Sequence, residues 1–499
     1  MLEQILNSIK YFQPEAVLAV TFCVLILIDL IFRKRGAFVP WIALLGLIIA
    51  GIFVFQEASG GSNSIFFNML AVDSFSIFFK LVILGCSIFI VIFSLQSKEL
   101  NSNNRNVGEY YSLLIALSLG LILMTGATNL LMMYLALELS SLSSYILTCY
   151  TKEAEDSSEA SLKYIIYGAV SSGMMLYGIS ILFGLTGAID IYGINQVLMT
   201  GNINALPLII ATILIIVGFG YKISAVPFHF WTPDVYEGAP ITITAFLSVA
   251  SKAAGFAMMM RFFKISFIDP AVGNLTAGSW SILHGFDWNY IIAALSVLTM
   301  TIGNLVAIWQ NNLKRLLAYS SIAHAGYMLM GVVVLSNEGF SAIMIYFVVY
   351  LFMNLGAFYT VMIVADKIGS EDIEDYKGLG YRTPLAGVVM TIFLLSLTGI
   401  PPTAGFIGKL YIFAALINAK WFWLAIVGVL NSVVSLYYYV RIFRNMFLRE
   451  PGANAQPIKF SMSQVIVLLI LVIPTLLIGL YFSPLVDYAQ ASVAMFNIP

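Results

Sequence analysis

About fourteen runs of apolar residues, each long enough to cross a lipid bilayer, recur from one end of this 499-residue chain to the other. A transmembrane helix needs about 20 such residues in succession. The chain is 60% hydrophobic and 10% charged, whereas soluble domains carry roughly 25% charged residues. The sequence therefore predicts an all-α integral membrane protein.

The predicted spans cover residues 16–32, 37–56, 73–96, 109–127, 129–150, 162–185, 207–230, 241–263, 289–309, 315–335, 340–365, 384–414, 421–447 and 463–482. The longest polar connections are too short for a soluble domain, and we expect them to be loops. They cover residues 151–161, 186–206, 264–288 and 366–383. The first span is expected to remain in the protein, because Glu3 and Glu15 precede it and no small-residue cleavage site follows.

Lysine and arginine are distributed unevenly between the two sides of the predicted membrane. Sixteen fall on one side, and only Lys10, Arg261, Lys264 and Lys420 fall on the other. The sixteen are Arg33, Lys34, Arg35, Lys98, Arg105, Lys152, Lys163, Lys314, Arg315, Lys367, Lys377, Arg382, Arg441, Arg444, Arg449 and Lys459. Because positive loops favour the cytoplasmic face, both termini are expected on the non-cytoplasmic side.

Several classes of function are disfavoured by composition and motif. The formal net charge is −1, and no basic patch with interleaved aromatics predicts nucleic-acid binding. The cysteines lie singly in apolar runs, without metal or disulfide spacing, and are expected to be small buried hydrophobes: Cys23, Cys86 and Cys149. His229, His284 and His324 are too dispersed for an obvious haem or metal site. We therefore expect no redox cofactor, metal or nucleotide site in this chain.

Four lysines lie well inside the predicted spans, away from their ends, namely Lys80, Lys222, Lys252 and Lys409. An ionised side chain at the bilayer centre costs at least about 3 kcal/mol, so such residues usually have a function. Lys80 lies about two turns into its span, and we expect its long stem to snorkel to the interface. The other three are candidate functional residues.

Glu138 is the one carboxylate predicted to lie near the middle of a span. It follows Asn129 by nine residues, which places it about 14 Å into the membrane. Its neighbours in LELSSLSSY include four hydroxyls that could pack against other helices or hold water: Ser140, Ser141, Ser143 and Ser144. Lys252 lies at a similar depth, about 16 Å beyond Ile241. A structural ion pair is the alternative for each.

Lys222 and Lys409 both lie beside helix breakers. Pro227 follows Lys222 in GFGYKISAVPFHFW. The second lysine follows Gly399, Pro401 and Pro402 in SLTGIPPTAGFIGK. Proline removes a backbone donor and clashes with the preceding turn, so both helices are predicted to break. Freed backbone groups in a membrane require protein or water partners, so each break predicts a hydrated pocket.

The two breaks also indicate an internal repeat. Five spans over 109–263 and five over 289–447 each place the broken helix fourth, and an odd number of spans inverts the second copy. A three-helix segment (1–108), a connecting loop (264–288) and a C-terminal helix (448–499) complete the predicted organisation. Each repeat is expected to carry one ion path.

The residue types in this row suit proton exchange. Moving Glu138 toward or away from Lys222 would switch whether that lysine holds its proton. Burial tunes a lysine over a wide range, whereas arginine stays charged. His324 could relay protons between Lys252 and Lys409, with a hydrogen-bonded core histidine as the alternative.

Several segments resemble the N-type antiporter-like subunits of respiratory complex I. They are GFGYKISAVPFHFWTPDVYEGAP (218–240), TAFLSVASK (244–252), KRLLAYSSIAHAGY (314–327), TGIPPTAGFIGKLY (398–411), LELSSLSSYIL (137–147) and EASLKY (159–164). The resemblance implies a membrane-arm subunit that translocates protons with energy from NADH oxidation and quinone reduction. NADH, FMN, iron–sulfur clusters and quinone would then bind to partner subunits, and the partners would include adjacent antiporter-like subunits in an energy-coupling bacterial or organelle membrane.

The same resemblance implies roles for individual residues. Glu138 and Lys222 match the paired glutamate and lysine, Lys252 the central lysine, Lys409 the exit-side lysine, and His229 the histidine after the first break. Ferredoxin-driven relatives of complex I and multisubunit Na⁺/H⁺ antiporters remain alternatives. Lys409, where some relatives carry glutamate, and the absence of a further long helix after the fourteenth span favour the N-type subunits.

Overall fold

The computed structural model describes residues 2–31, 38–101, 107–151, 155–200, 203–269, 280–283, 287–451 and 456–495. Its helices in the first half are α1 (Leu2–Lys10), α2 (Gln13–Ile31), α3 (Val39–Glu57), α4 (Ser74–Gln96), α5 (Lys98–Asn101), α6 (Gly108–Gly126), α7 (Leu130–Thr148), α8 (Glu155–Thr186), α9 (Ile191–Thr200), α10 (Ala205–Ile223), α11 (Trp231–Gly238), α12 (Ile241–Phe246) and α13 (Lys252–Ser266). A π-helical turn, Leu247–Ser251, joins α12 to α13.

The second half contains α14 (Trp288–Ala307), α15 (Leu313–Val333), α16 (Asn337–Ile368), α17 (Leu379–Arg382), α18 (Pro384–Thr398), α19 (Ala404–Asn418), α20 (Phe422–Phe447), α21 (Met462–Leu480) and α22 (Ser483–Ala491). Two short antiparallel hairpins complete the fold: β1 (Asn63–Ile65) with β2 (Leu70–Val72), and β3 (Ile268–Asp269) with β4 (Ser281–Ile282).

Within the described ranges, thirteen helices are long and apolar enough to cross a membrane, with α12 to α13 counted as one. The apolar helices α18 and α19 have 15 residues each and follow one another across the second break, over the predicted span 384–414. The predicted all-α membrane architecture with about fourteen spans is confirmed.

Both predicted helix breaks are present. Helix α10 ends at Ile223, and Ser224 takes a left-handed conformation with φ of 63° before α11 begins at Trp231. Helix α18 ends at Thr398, and Gly399 takes a φ of 88° before α19 begins at Ala404. A chain that turns out of its helix in this way exposes backbone groups to the bundle interior.

Central and peripheral helices differ in what they bury. The segment from α12 to α13 is buried on all sides, and α15 and α16 are nearly so. Outer helices such as α2, α20 and α21 keep large apolar side chains exposed, including Leu27, Val433 and Leu477. Apolar outer faces are expected of helices that meet lipid or other membrane subunits.

The loop predictions were partly wrong. Helix α9 lies within 186–206, the first turns of α8 lie within 151–161, and 366–383 contains the 3₁₀ turn Ile373–Tyr376 followed by α17. These helical segments contain polar residues and were therefore predicted to be loops. Helices can continue past the apolar layer of a membrane, where polar residues are common. The connection 264–288 contributes β3 and β4, and its residues 270–279 and 284–286 lie outside the described ranges.

Some residues of the sequence-based prediction lie outside the described ranges too. They are Arg33, Lys34, Arg35, Arg105, Lys152 and His284. Among the cysteines, Cys86 is buried and Cys149 half-buried as free thiols, whereas Cys23 is exposed on α2, so the expectation of burial is wrong there.

Candidate functional site

Helix α15 is the element around which the candidate residues gather. Ser320, Ser321, His324 and Tyr327 recur along it at intervals of one turn, so their side chains occupy one side of the helix. All four are buried. Lys252 approaches this side from α13, and Lys409 approaches it from α19.

Lys222 lies in the last turn of α10, immediately before the first break. Its ammonium donates hydrogen bonds to Ser140 Oγ at 2.7 Å and Ser141 Oγ at 3.3 Å, both on α7. The break itself is fixed by a hydrogen bond from the Val226 amide to Thr299 Oγ1 at 3.0 Å. The predicted serines beside Glu138 are therefore the direct partners of Lys222.

Glu138 lies near Lys222 without a direct hydrogen bond or ion pair to it among the described residues, although the two groups lie within electrostatic range. Instead Glu138 is half-buried in a groove of about 450 Å³ between α7 and α8, with Tyr134, Tyr145 and Ser172 in its lining. The carboxylate therefore lies at the edge of the bundle.

Lys252 is fully buried at the point where the π-helical turn passes into α13. Its ammonium donates to the Ser321 carbonyl at 2.7 Å and to Ser321 Oγ at 2.9 Å. A π turn widens the helix by one residue and is frequent at functional sites. Lys252 is thus held against α15 by neutral oxygen atoms.

His324 lies one turn beyond Ser321 and has a tyrosine at each ring nitrogen. Nδ1 is 2.7 Å from Tyr346 Oη on α16, and Nε2 is 3.3 Å from Tyr439 Oη on α20. The Tyr439 hydroxyl continues to Ser320 Oγ at 2.5 Å. Lys252 and Lys409 both lie within electrostatic range of the imidazole.

Lys409 lies in the second turn of α19, just after the second break. Its ammonium donates to the Thr398 carbonyl at 2.7 Å and to Ser432 Oγ at 2.8 Å, and it lies 4.7 Å from the centroid of the Tyr327 ring. The Thr398 carbonyl belongs to the end of α18, so the break itself supplies an acceptor to the lysine. A Cβ added at Gly399 would lie 2.8 Å from Lys409 Cδ.

His229 lies between the two halves of the first broken helix and is 6% exposed. Its Nδ1 is buried and has no hydrogen-bond partner among the residues that the structure describes. Lys252 lies within electrostatic range of the ring. His229 therefore follows Lys222 in the sequence and lies near Lys252 in the folded chain.

Lys80 and Arg261 are buried as well, but in a different environment. Lys80 does not snorkel as expected, since it is 2% exposed and forms ion pairs with Glu15 and Glu57. Arg261 was counted with the loop charges, but it is fully buried and makes a two-pronged pair with Asp73, with both N–O distances at 2.7 Å. These cations have carboxylate partners, whereas the described polar partners of Lys222, Lys252 and Lys409 are neutral.

The side chains and carbonyl groups that hold Lys252, His324 and Lys409 in place could not be predicted from the sequence. They are Ser321, Tyr346, Tyr439, Ser432 and Thr398. Buried hydroxyls in apolar helices are common, and their partners lie far away in sequence, so no local pattern marks them. Among the residues that the structure describes, no group of three or more His, Cys, Asp or Glu side chains could hold a metal ion.

Residues 127–435 match the sequence model of a family described as NADH:quinone oxidoreductase/Mrp antiporter, TM. The chain belongs to this antiporter-like membrane family. It is 48% identical to NADH-quinone oxidoreductase subunit N 2 of Chloroherpeton thalassium over 97% of this chain and 94% of that protein. It is 40% identical to the chloroplastic NAD(P)H-quinone oxidoreductase subunit 2 of Mesostigma viride, over 96% of this chain and 95% of that protein.

Solved structures of the antiporter-like family share the fold. A chain of respiratory complex I from Thermus thermophilus is 30% identical and superposes with a TM-score of 0.76, covering 95% of this chain and 99% of that one. A chain of the Mrp complex from Dietzia is 18% identical with a TM-score of 0.83, over 98% and 97% of the two chains, which shows the fold alone. The resemblance carried by the sequence motifs is confirmed.

Proposed function

We propose that this chain is a proton-translocating membrane-arm subunit of a respiratory NADH:quinone oxidoreductase. The observation that carries the proposal is a row of three buried lysines, Lys222, Lys252 and Lys409, whose described polar partners are all neutral oxygen atoms. The relatives named NADH-quinone oxidoreductase subunit N, and the complex I chain from Thermus thermophilus, support this reading.

Neutral partners matter because they allow a lysine to lose its proton. An ammonium paired with a buried carboxylate would leave an uncompensated charge if it became an amine. A lysine held by hydroxyl and carbonyl groups leaves no such charge. The Ser140 and Ser321 hydroxyls donate to the Leu137 and Ala318 carbonyls, and either hydroxyl would have to rotate before it donated to a lysine amine. Lysine is also the cation whose proton burial can release, unlike arginine.

The proposed path within this chain runs from Lys222 to Lys252 and then through His324 to Lys409. Tyr346 and Tyr439 orient the imidazole and can pass a hydroxyl proton to or from it. His229 is proposed to contribute between Lys222 and Lys252, with water completing the steps between groups that do not touch.

Glu138 is proposed to act as a movable charge. It lies within electrostatic range of Lys222 while facing the groove at the edge of the bundle. A shift of this carboxylate toward Lys222 would favour the ammonium, and a shift away would favour the amine. The groove is where a neighbouring antiporter-like subunit would influence that choice.

The two broken helices are proposed to belong to inverted repeats, 109–263 and 289–447. In support, the broken helix is the fourth long apolar helix in each segment, at α10 in the first and at α18 and α19 in the second. The three helices before the first repeat and the C-terminal helix would flank this pair. Both termini are proposed to face the non-cytoplasmic side, which thiol-reagent accessibility of cysteines introduced at Glu3 and Lys377 would check.

NADH, FMN, iron–sulfur clusters and quinone are proposed to bind in partner subunits of the assembled complex. Mild purification of the chain with its partners tests this: redox subunits should co-purify with it. Co-purification with antiporter subunits alone would contradict the proposal and favour a cation/proton exchanger.

The direct test of the path replaces Lys222 or Glu138 with a neutral residue. In vesicles that contain the assembled complex, Lys222→Met and Glu138→Gln should lower the protons translocated per electron. Lys10→Met, on the exposed side of α1, is the matched control and should leave the ratio unchanged. An unchanged ratio in both test variants would rule out the proposed role of this pair.

A further inference from the structure

A second buried cluster of ionisable groups lies apart from the lysine row, among the N-terminal helices. Lys80 Nζ of α4 lies 2.7 Å from Glu15 Oε1 of α2 and 3.2 Å from Glu57 Oε2 of α3. None of the three side chains is more than 4% exposed. Because each comes from a different helix, the cluster joins the three helices at one point.

Each carboxylate of this cluster uses only one of its oxygen atoms. Glu15 Oε2 and Glu57 Oε1 are buried and have no hydrogen-bond partner within the described ranges. Native proteins leave few buried polar atoms unpaired, and an unpaired carboxylate oxygen is among the costliest. The two oxygen atoms therefore point to a bound group that the side chains alone do not supply.

The charges of the cluster do not balance. Among the described residues, Glu15 and Glu57 act electrostatically on Lys80, and Lys80 and Glu15 act on Glu57. The other ionisable groups of α1, α2 and α6, namely Glu3, Lys10, Asp29 and Glu109, are not among the ion-pair partners of Lys80 within the described ranges. With both glutamates ionised, one ammonium would face two carboxylates, and a net negative charge would remain buried at considerable cost.

We propose that Glu15 and Glu57 share one proton, so that the cluster is a neutral proton-binding site separate from the lysine row. Two carboxylates held by the same ammonium are close to one another, and like charges at such a distance disfavour double ionisation. A proton on one of them donates to the free oxygen of the other and so satisfies both. The Lys80 ammonium already lies where a metal cation would bind the two carboxylates. A proton is therefore the group that fits the remaining oxygen atoms.

A polar cavity lies near the end of α3 that carries Glu57. Its volume is about 440 Å³, and it lies between α1 and the β1–β2 hairpin, with Ser8, Tyr11 and Asn63 in its lining. A Cβ at Gly60 would lie 3.2 Å from Tyr11 Cε1 and 3.4 Å from the Glu57 carbonyl oxygen. Tyr11, which lines this cavity, thus also lies beside the chain just after α3, and the cavity is polar and large enough for water.

Infrared spectroscopy of the full chain in lipid vesicles tests the shared proton. At neutral pH the wild-type protein should show the C=O stretch of a protonated carboxyl that disappears in Glu15→Gln and equally in Glu57→Gln. In either variant the remaining carboxylate forms a simple ion pair with Lys80 and needs no proton. Loss of the same band in both variants is the signature of sharing. Glu3→Gln, on the exposed side of α1, should leave the band unchanged.

The Lys80→Met variant gives an independent reading should the glutamine variants fail to fold. Without the ammonium, both glutamates should be protonated, and the band should roughly double. A wild-type spectrum without the band, or a band unchanged in both Glu15→Gln and Glu57→Gln, would show that the two glutamates share no proton and would overturn the proposal. Disappearance of the wild-type band when Na⁺ replaces choline would assign a metal ion instead. The test needs no pumping measurement, so its result is independent of the proposed function.

Discussion

Lys222, Lys252 and Lys409 differ from Lys80 in what their ammonium groups touch. The first three contact hydroxyl and carbonyl oxygens, and Lys80 contacts two carboxylates. In a medium of low dielectric constant that difference decides whether a lysine can release its proton or must keep it. All four residues are lysines, so their partners and not their type make the difference.

The sequence could locate the three lysines but could not predict their partners. A lysine inside an apolar run is visible from the run alone. Its partner is not, because Ser321 lies 69 positions from Lys252 and Tyr439 lies 115 positions from His324. The expectation for Lys80 was wrong for a related reason. Its partner Glu15 is far away in the sequence and precedes the first predicted span, where a carboxylate is expected to lie in a loop.

At the scale of single residues, the hydrogen bond between Tyr346 and His324 can be removed cleanly. Tyr346→Phe leaves Nδ1 of a buried imidazole without its partner at 2.7 Å. Such a loss costs about 1 kcal/mol or more, so proton transfer through His324 should slow by roughly fivefold. Proton translocation rates in vesicles measure this. Tyr177→Phe, exposed on α8, should behave like the wild type; an undiminished rate in Tyr346→Phe would contradict the relay.

Gly399 lies at the second helix break and packs against the side chain of Lys409. Its φ of 88° disfavours any side chain, and an added Cβ would lie 2.8 Å from Lys409 Cδ. Gly399→Ala should therefore cost about 1–3 kcal/mol of stability and displace the lysine. We expect a lower Tm and weaker pumping. In Gly184→Ala, where an added Cβ meets nothing within 4 Å, the Tm should stay the same or rise. Equal behaviour of the two variants would contradict this account.

At the scale of elements, proline and glycine made the two helix breaks predictable. No signal marked the π turn Leu247–Ser251 that aims Lys252 at α15, because the apolar run continues through it without interruption. Helix α9 and the first turns of α8 were missed for the opposite reason, since their polar residues resemble a loop. Hydrophobicity reports the apolar layer of the membrane and not the full length of the helices.

The short helix α11, which follows the first break, is held by ion pairs. Asp234 accepts hydrogen bonds from Lys163 of α8 at 2.6 Å and from Arg315 of α15 at 2.7 Å. Burial acts to raise the pKa of Asp234, but the hydrogen bonds from these two cations outweigh it and place the pKa below its ordinary value. The ion pairs thus tie the break to its neighbours.

This lowered pKa gives a pH dependence with a definite sign. The stabilisation by Asp234 is complete above the unfolded-state pKa of about 3.9 and is lost as the pH falls through the folded-state value. Asp234→Asn should therefore lower stability by roughly 1 kcal/mol at neutral pH, and the difference should shrink in acid. Thermal unfolding in detergent measures it, with the exposed Asp487→Asn as control. A difference that grows in acid would contradict the assignment.

At the scale of the whole molecule, the candidate proton-carrying residues lie on or beside the most deeply buried helices. The most deeply buried helices, α13 and α15, carry Lys252 and His324, and the broken helices place Lys222 and Lys409 beside them. The membrane family and the number of spans followed from the sequence. The arrangement of the row around α15 did not, because it depends on how helices from both halves of the chain pack together.

The central claim is that the row carries protons, and Lys252 tests it most directly because it lies in the middle of the row. Lys252→Met keeps the length of the side chain and removes the amine from a site whose described polar partners are the neutral groups of Ser321. The measurement is the number of protons translocated per electron by the assembled complex in vesicles, with Lys10→Met as control. The account predicts a lower ratio in Lys252→Met while the complex still assembles and the control is unaffected. A wild-type ratio in Lys252→Met would contradict it.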